Sequence, residues 1–480
     1  MQYQIIFRQF SVLVVFVLVI GKACANSIEL PELGSSSSAI VSVAQERQLG
    51  QAWLRSFRSQ SDIGEDYLLQ EYVENLVYSM LPNARLADNR LDILVVSNPS
   101  LNAFAVPGGV LGVHTGLFLY AQTEDQLCSV LAHELAHLSQ RHFARSVEAQ
   151  QGNTIRMMAG LLAGIVLAAT TGSDAGLAVI SATQAASLES RLRYSRQNEQ
   201  EADRIGLEVL TSSGRDPDAM KEMFEQMLIA SRFVGFRTPE YLRSHPLTEN
   251  RVNDAGNRAR QFQPRDYHVN PQYALMQARI RVASADSPQL AVREFASAFR
   301  IDPNEINQYG LALAHQRALN MDDAIIEAYD LYESDPSNHM YALLYTDVLR
   351  VADRADEAED ILRDHLRFKP TSYSLNMALA QSLNHQSKYD EAAEVYRVQS
   401  TSRPSDVLIW YEYAETLGLA GNILELHKAR AQYFTLVGAY QRAIQQLQYA
   451  KREVGDNAIE LAILDQKISE TARMSSNSAF

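Results

Sequence analysis

Cysteine is almost missing from this sequence, which has two in 480 residues, Cys24 and Cys128. Cys24 sits in a leader-like N-terminus: Arg8 precedes an apolar run from Phe10 to Ile20, and Ala23-Cys24-Ala25 matches an A-x-A cleavage signature. The expectation is a signal peptide over 1–25, cleavage after Ala25, and a mature chain starting at Asn26. That chain keeps only Cys128, so it has no internal disulfide. The alternative, a lipoprotein acylated at Cys24, puts Lys22 where small or apolar residues are expected. Basic residues are also short: 43 Lys and Arg against 57 Asp and Glu give a net charge of −14. Loss of Arg8 and Lys22 with the leader makes it −16. This acidity argues against nucleic acid as a partner and against broad binding to anionic lipid. Long hydrophobic runs are missing too. The leader run is too short to span a bilayer comfortably, and the apolar stretches 155–169 and 175–186 fall below the roughly 20 residues a spanning helix needs. They read as a buried helical hairpin over the active site, with a movable lid or a surface that touches membrane or apolar substrate as alternatives.

What the chain does contain is Leu131-Ala132-His133-Glu134-Leu135-Ala136-His137. His133 and His137, four apart, project from one face of a helix, one turn above the other, and can meet a single metal ion. Glu134 lies about 100° around the helix, off the metal axis but placed to take a proton from an attacking water. The helix itself is well signalled. Thr123-Glu124-Asp125-Gln126 reads as a capping box, and Leu127, Val130, Leu131 and Leu138 follow at roughly helical spacing. Cys128 is off the ligand face and reads as a buried structural thiol.

A catalytic zinc site needs a third protein ligand. A histidine six residues after His137 would supply it in one protease class, but Phe143 stands there, and His142 points elsewhere on a continuing helix, as a structural histidine. The other solution is a carboxylate from a second helix. In Asn198-Glu199-Gln200-Glu201-Ala202-Asp203, Glu199 and Asp203 share a face and Glu201 lies about 200° away. Glu199 is therefore the expected ligand, Asp203 the carboxylate that orients a ligating histidine, and Glu201 the alternative ligand.

Elsewhere, Gly34 and the serines 35–38 mark a flexible stretch within 26–43, helices are expected over 44–57 and 67–81, and a strand over 91–96. Asn102-Ala103-Phe104-Ala105-Val106, a turn at Pro107-Gly108-Gly109, and 110–115 read as a hairpin. It is either purely structural or an edge strand that binds an extended peptide. From about residue 270 the pattern becomes periodic. Pro303, Pro336, Pro370 and Pro404 are spaced by 33, 34 and 34 residues, and Ala291, Ala324, Ala358 and Ala392 follow the same beat. This is the tetratricopeptide signature, two helices per stacked unit. The next such alanine, Ala443, comes 51 residues after Ala392, so a half-repeat intervenes: a shared helix near 423–437, a capping helix near 457–471 and a loose tail over 474–480.

His133-Glu134-Leu135-Ala136-His137, with Glu199-x-Glu201-Ala202-Asp203 beginning 62 residues after His137, resembles the gluzincin family that includes HtpX and the CAAX prenyl proteases. The segment 102–109 resembles the edge-strand hairpin of its soluble members, and Ser244-His245-Pro246-Leu247-Thr248 with Arg251 matches a further segment of theirs. The resemblance implies a mostly α fold with a small β-sheet: a metalloprotease domain over 44–265, followed by an α-solenoid over 270–473. It implies one zinc per chain, on His133, His137 and Glu199, with Glu134 as general base. For His245 it implies either a plug on the open metal position or a group that stabilises the transition state. An exported protease joined to such repeats resembles the periplasmic quality-control branch of the family. That implies unfolded or stalled outer-membrane β-barrel precursors as substrates and the barrel-assembly machinery as a partner of the repeats. Two other readings stand beside it: a chaperone or adaptor whose metal site is structural or plugged, and a processing protease for one dedicated substrate.

Overall fold

The computed structural model describes residues 41–60, 66–149, 196–233, 239–263, 267 and 270–477. The expected leader, most of the segment 26–43 and both apolar stretches between 155 and 186 lie outside the described residues. No described helix is long and apolar enough to cross a membrane.

Helix α1 (Val43–Arg58) buries Gly50, Trp53, Leu54 and Phe57, one stripe at helical spacing. Helix α2 (Tyr67–Ala84) starts at Asp66, whose side chain accepts from Leu69 N, and stops at Arg85, in the left-handed region at φ +52°. Strands β1 (Asp92–Val96), β2 (Ala103–Val106) and β3 (Val110–His114) form a sheet in the order β1-β3-β2. β1 runs parallel to β3, and β2 and β3 are the expected hairpin, paired from Ala103↔Val113 to Val106↔Val110. Its turn needs glycine: Gly108 and Gly109 both have φ +84°, and a Cβ on Gly108 would lie 2.3 Å from Glu46 O. The outer edge of β1 is closed by one side chain, since Gln70 Nε2 donates to Ile93 O (2.9 Å) and Gln70 Oε1 accepts from Val95 N (3.1 Å).

After the short α3 (Gly116–Tyr120) comes α4 (Glu124–Ser139), the motif helix, buried without a break from Gln126 to His137. Thr123 Oγ1 accepts from Gln126 N (3.2 Å) as a capping box requires, and the return bond to Gln126 Oε1 comes from Gln122 N (2.8 Å). The helix does not continue to His142. Arg141 adopts φ +49°, the chain turns, and α5 (His142–Ala149) begins afresh. Helix α6 (Arg196–Ser212) packs across α4. A Cβ on Gly206 would sit 3.1 Å from both Cα and N of His133, so the missing side chain sets how near the two helices come. Helices α7 (Asp218–Phe233), α8 (Glu240–Ser244) and α9 (Glu249–Ala259) complete this part.

The remaining helices are paired: α10 (Pro271–Ser284) with α11 (Pro288–Ile301), α12 (Glu305–Arg317) with α13 (Met321–Ser334), and α14 (His339–Val351) with α15 (Ala355–Phe368). Then come α16 (Tyr373–His385), α17 (Tyr389–Ser402), α18 (Val407–Leu419), α19 (Ile423–Leu436), α20 (Tyr440–Glu453) and α21 (Ala458–Asn477). Ala291, Ala324, Ala358, Ala392 and Ala443 are all fully buried, each in the first turn of its helix, where anything larger would force the helix pair apart. A second beat marks the turns. Left-handed residues recur at Leu319, Asp353, Ser387 and Gly421, every 34 residues, and then at Gly438 and Gly455, every 17. The expected half-repeat is thus visible in the backbone. One expectation is corrected: α21 runs to Asn477, so residues 474–477 are helical rather than a loose tail.

Two parts of the array, α10 and the region of α16 and α17, dock on helices α2 and α3. Tyr273 stacks on Phe118 with ring centroids 5.8 Å apart, and its hydroxyl donates to Ala121 O (2.8 Å). Arg279 pairs with Asp66, and Arg403 with Glu74. Glu71 of α2 accepts from Tyr373 N (2.8 Å) and Ser374 N (3.1 Å), a carboxylate seated on the N-terminus of α16.

Candidate active site

Three elements converge on one point. α4 presents His133 and His137, α6 presents Glu199, and the residue after α8 is His245; all four are buried. His133 Nε2 lies 3.0 Å from His137 Nε2 and 3.6 Å from Glu199 Oε2, and His137 Nε2 lies 3.5 Å from Glu199 Oε1. His245 Nδ1 is 3.2 Å from Glu199 Oε1 and 3.4 Å from His133 Nε2. A tetrahedron with metal–ligand bonds of about 2.1 Å has edges of about 3.4 Å. The four donors therefore have the spacing of ligands around a small divalent cation. Glu134 is buried beside them, with Oε1 3.5 Å from His245 Nε2 and no hydrogen-bond partner among the described residues. The Tyr241 hydroxyl is likewise buried without a partner, while its ring stacks on His245 at 4.6 Å. Two unsatisfied polar atoms beside four converging donors fit a centre that takes a cation and a polar reactant.

The charges around the cluster are arranged for a cation. Burial opposes charge on Glu199, but His245 and His133 outweigh it and hold its carboxyl well below the usual range. Burial likewise works against Asp203, whose partners Arg251 and His133 outweigh it and lower its pKa. Burial pulls His133 down, yet Asp203 and Glu199 raise it to about 9. The field that favours a proton there also favours a metal ion between the ligands. His137 is driven well below its ordinary value by burial and by His133, which leaves it neutral.

Asp203 Oδ1 lies 3.0 Å from His133 Nδ1, off the ideal donor line, and Arg251 grips Asp203 with Nε–Oδ2 2.7 Å and Nη2–Oδ1 2.8 Å. A third Arg251 nitrogen, Nη1, reaches Glu199 Oε2 (3.0 Å) and donates to Pro246 O (2.9 Å), so one guanidinium ties α6 to the His245 segment. Sequence reasoning gave no task to this arginine or to Tyr241. Glu201, the alternative ligand, is outside the cluster. Its Oε2 lies 3.2 Å from His142 Nε2 and accepts from Arg145 Nη1 (2.8 Å). His142, expected to point away, has Nδ1 2.8 Å from His137 Nδ1, because the turn at Arg141 brings it back beneath the motif helix. Cys128 is buried, and burial pushes its thiol pKa up, as for an inert structural group.

The hairpin lies against the same helix, α4 packing on β2. His114 N donates to Asn102 O (3.1 Å), which makes Asn102, Phe104 and Val106 the residues bonded to β3. Ala103 and Ala105 then turn their backbone N–H and C=O to the other edge. The stretch before β2 also anchors the His245 segment: Tyr241 N donates to Leu101 O (3.3 Å), and Asn102 Nδ2 to Glu240 Oε2 (3.2 Å).

Comparison with known proteins agrees with this geometry. Residues 67–259, which contain all these groups, match the model of peptidase family M48. The β-barrel assembly-enhancing protease of Escherichia coli is 32% identical over 462 residues, 95% of this chain and 94% of that protein. A putative β-barrel assembly-enhancing protease of Vibrio cholerae is 33% identical over 450 residues, 93% and 92% of the two chains. A mitochondrial metalloendopeptidase of Schizosaccharomyces pombe is 29% identical over 181 residues, 38% of this chain and 50% of that one. The chain is therefore a metalloendopeptidase that belongs to peptidase family M48, in the group of the β-barrel assembly-enhancing proteases.

Proposed function

We propose that this metalloendopeptidase is a zinc enzyme of the periplasm, exported by its cleavable leader, that assists outer-membrane β-barrel assembly and degrades precursors that stall or misfold. The observation that carries the zinc reading is the near-tetrahedral spacing of four buried donors beside Glu134, whose buried Oε1 has no hydrogen bond among the described residues. His133, His137 and Glu199 would hold one ion, with Asp203 orienting His133. Zinc, when bound, supplies a Lewis acid that polarises the scissile carbonyl and makes water more acidic. Glu134 takes the proton from the attacking water and delivers it to the leaving amine. The backbone of Ala103 and Ala105 holds the substrate extended as an added strand, while Asn102, Phe104 and Val106 keep β2 in register on β3.

His245 decides the resting state. Its Nδ1 faces Glu199 and His133 at 3.2 and 3.4 Å, which supports a plug on the fourth position over a role in stabilising the transition state. Cleavage then requires His245 to leave. The protease domain, 44–265, performs the chemistry, and the repeat domain, 270–473, recruits precursors and engages the barrel-assembly machinery. The same four-donor closure favours a second reading, in which the protein acts chiefly as a chaperone or adaptor with a permanently plugged zinc site. Cleavage of an unfolded model protein separates the two when zinc content is measured alongside. The enzyme reading expects His245→Ala to cut faster than wild type and Glu134→Gln to keep fold and zinc but lose activity. If all three proteins retain zinc and none cuts, the chaperone reading replaces it.

A further inference from the structure

Among the described residues, His133 has the Asp203 carboxylate behind it. Behind His137 is a second imidazole: His142 Nδ1 lies 2.8 Å from His137 Nδ1, with the rings 4.8 Å apart and nearly perpendicular. Beyond it, His142 Nε2 lies 3.2 Å from Glu201 Oε2, which Arg145 holds at 2.8 Å. The backbone is built to make this contact. Arg141 takes a left-handed conformation, φ +49°, that ends α4 and starts α5 at His142, and its guanidinium is fixed on Glu46 (Nε–Oε2 2.9 Å).

We propose that His142 and Glu201 are positioning residues that fix the tautomer and ring orientation of His137 as a metal ligand, an inference that rests on the zinc reading above. The proton bookkeeping allows one arrangement. For His137 to ligate through Nε2, its proton must be on Nδ1, where it donates to His142 Nδ1. That nitrogen must then carry a lone pair, so the proton of His142 is on Nε2 and donates to the Glu201 carboxylate. A charged His142 would donate from both nitrogens and force the proton of His137 onto the metal-facing Nε2. The two ligating histidines are thus supported differently, His133 by Asp203 directly and His137 by Glu201 through an intervening ring. Loss of such a support weakens metal binding by about 10- to 100-fold in known sites.

The test is zinc affinity, by competition with a chromophoric chelator, for the wild-type full chain, His142→Phe, His142→Asn and Glu201→Ala, with the melting temperature of each metal-free protein. His142→Phe keeps the ring volume without the acceptor and is expected to bind zinc about 10- to 100-fold more weakly. His142→Asn, whose amide oxygen stands near the Nδ1 position, is expected to recover most of that loss. Glu201→Ala, at a partly exposed position that tolerates truncation, is expected to fall between. Should His142→Phe fail to fold, the other two variants still decide. Wild-type affinity in Glu201→Ala, or an Asn variant as weak as Phe, overturns the relay. A wild-type protein that binds no zinc overturns the metal reading itself, a separate result.

Discussion

Arg251→Met removes the one guanidinium that serves both buried carboxylates of the site. Arg251 is 5% exposed, with two nitrogens on Asp203, a third on Glu199 and Pro246 O, and its face over Phe224. Methionine fills much of the space but takes from Asp203 its bidentate cation and from Glu199 one of several positive neighbours. Breaking a buried ion pair from one side costs about 3–5 kcal/mol, most of it the penalty of the stranded charge. In urea unfolding followed by circular dichroism, this corresponds to a midpoint lowered by about 1 M. The loss should depend on pH with a definite sign. In the wild type the pKa of Asp203 is lowered, so its contribution is complete above its unfolded value and disappears as pH falls through the depressed one. Without Arg251, burial is opposed by His133 alone and the carboxyl takes up a proton sooner, so the gap between the two proteins narrows in acid. Zinc should also narrow it, because a metal on Glu199 meets part of the stranded charge, and Asp203→Asn added to Arg251→Met should restore part of the stability. A loss below about 1 kcal/mol at pH 7, or a double variant no more stable than the single, would refute the argument.

Two further expectations concern the scaffold. Burial lowers the pKa of His114 to about 4, whereas the unfolded chain binds that proton near 6.5. Stability is then complete above pH 6.5 and falls between there and about 4, by about 3 kcal/mol from this group; His114→Phe should flatten the profile of melting temperature against pH over that range, and an unchanged slope counts against the assignment. Glu71→Ala strips the N-terminus of α16 of its carboxylate acceptor, leaving only the Ser372 cap among the described residues, and should cost about 1.5–3 kcal/mol. Hydrogen exchange should show faster amides at Tyr373 and Ser374; unaltered protection there would mean that Glu71 does not hold the repeats.

The parts of the cluster that share a helix are legible in sequence. His133, Glu134 and His137 follow from the helical repeat alone, and the same rule separates Glu199, which joins the cluster, from Glu201, which does not. His142 stays outside the donor cluster, as expected of a structural histidine, but its direction was not legible: the helical rule assumes that α4 continues, and a non-glycine residue, Arg141, takes the left-handed turn that ends it. The repeat turns hid in the same way. Their φ > 0 positions are filled by Leu319, Asp353 and Ser387 before any glycine appears, so the alanine and proline beat was readable and the turn beat was not. The grip of Arg251 on Asp203 joins residues 48 apart in sequence, and neither has a local signal for the other.

Helix α2 has two occupied sides. One packs on the motif helix α4, where Tyr72 bonds Glu124 at its first turn; the other carries Glu71 and the repeat helix α16. At this point a single helix, about 10 Å across, lies between the solenoid and the motif helix, while α10 reaches the peptidase part directly, through Tyr273 on Phe118 and Asn270 on Glu124. On the proposed function, a precursor held by the array would tug on the scaffold that supports His133 and His137 from behind. Mechanically the array would then be a handle and not a tether, braced on the peptidase part at α2 and α3 together.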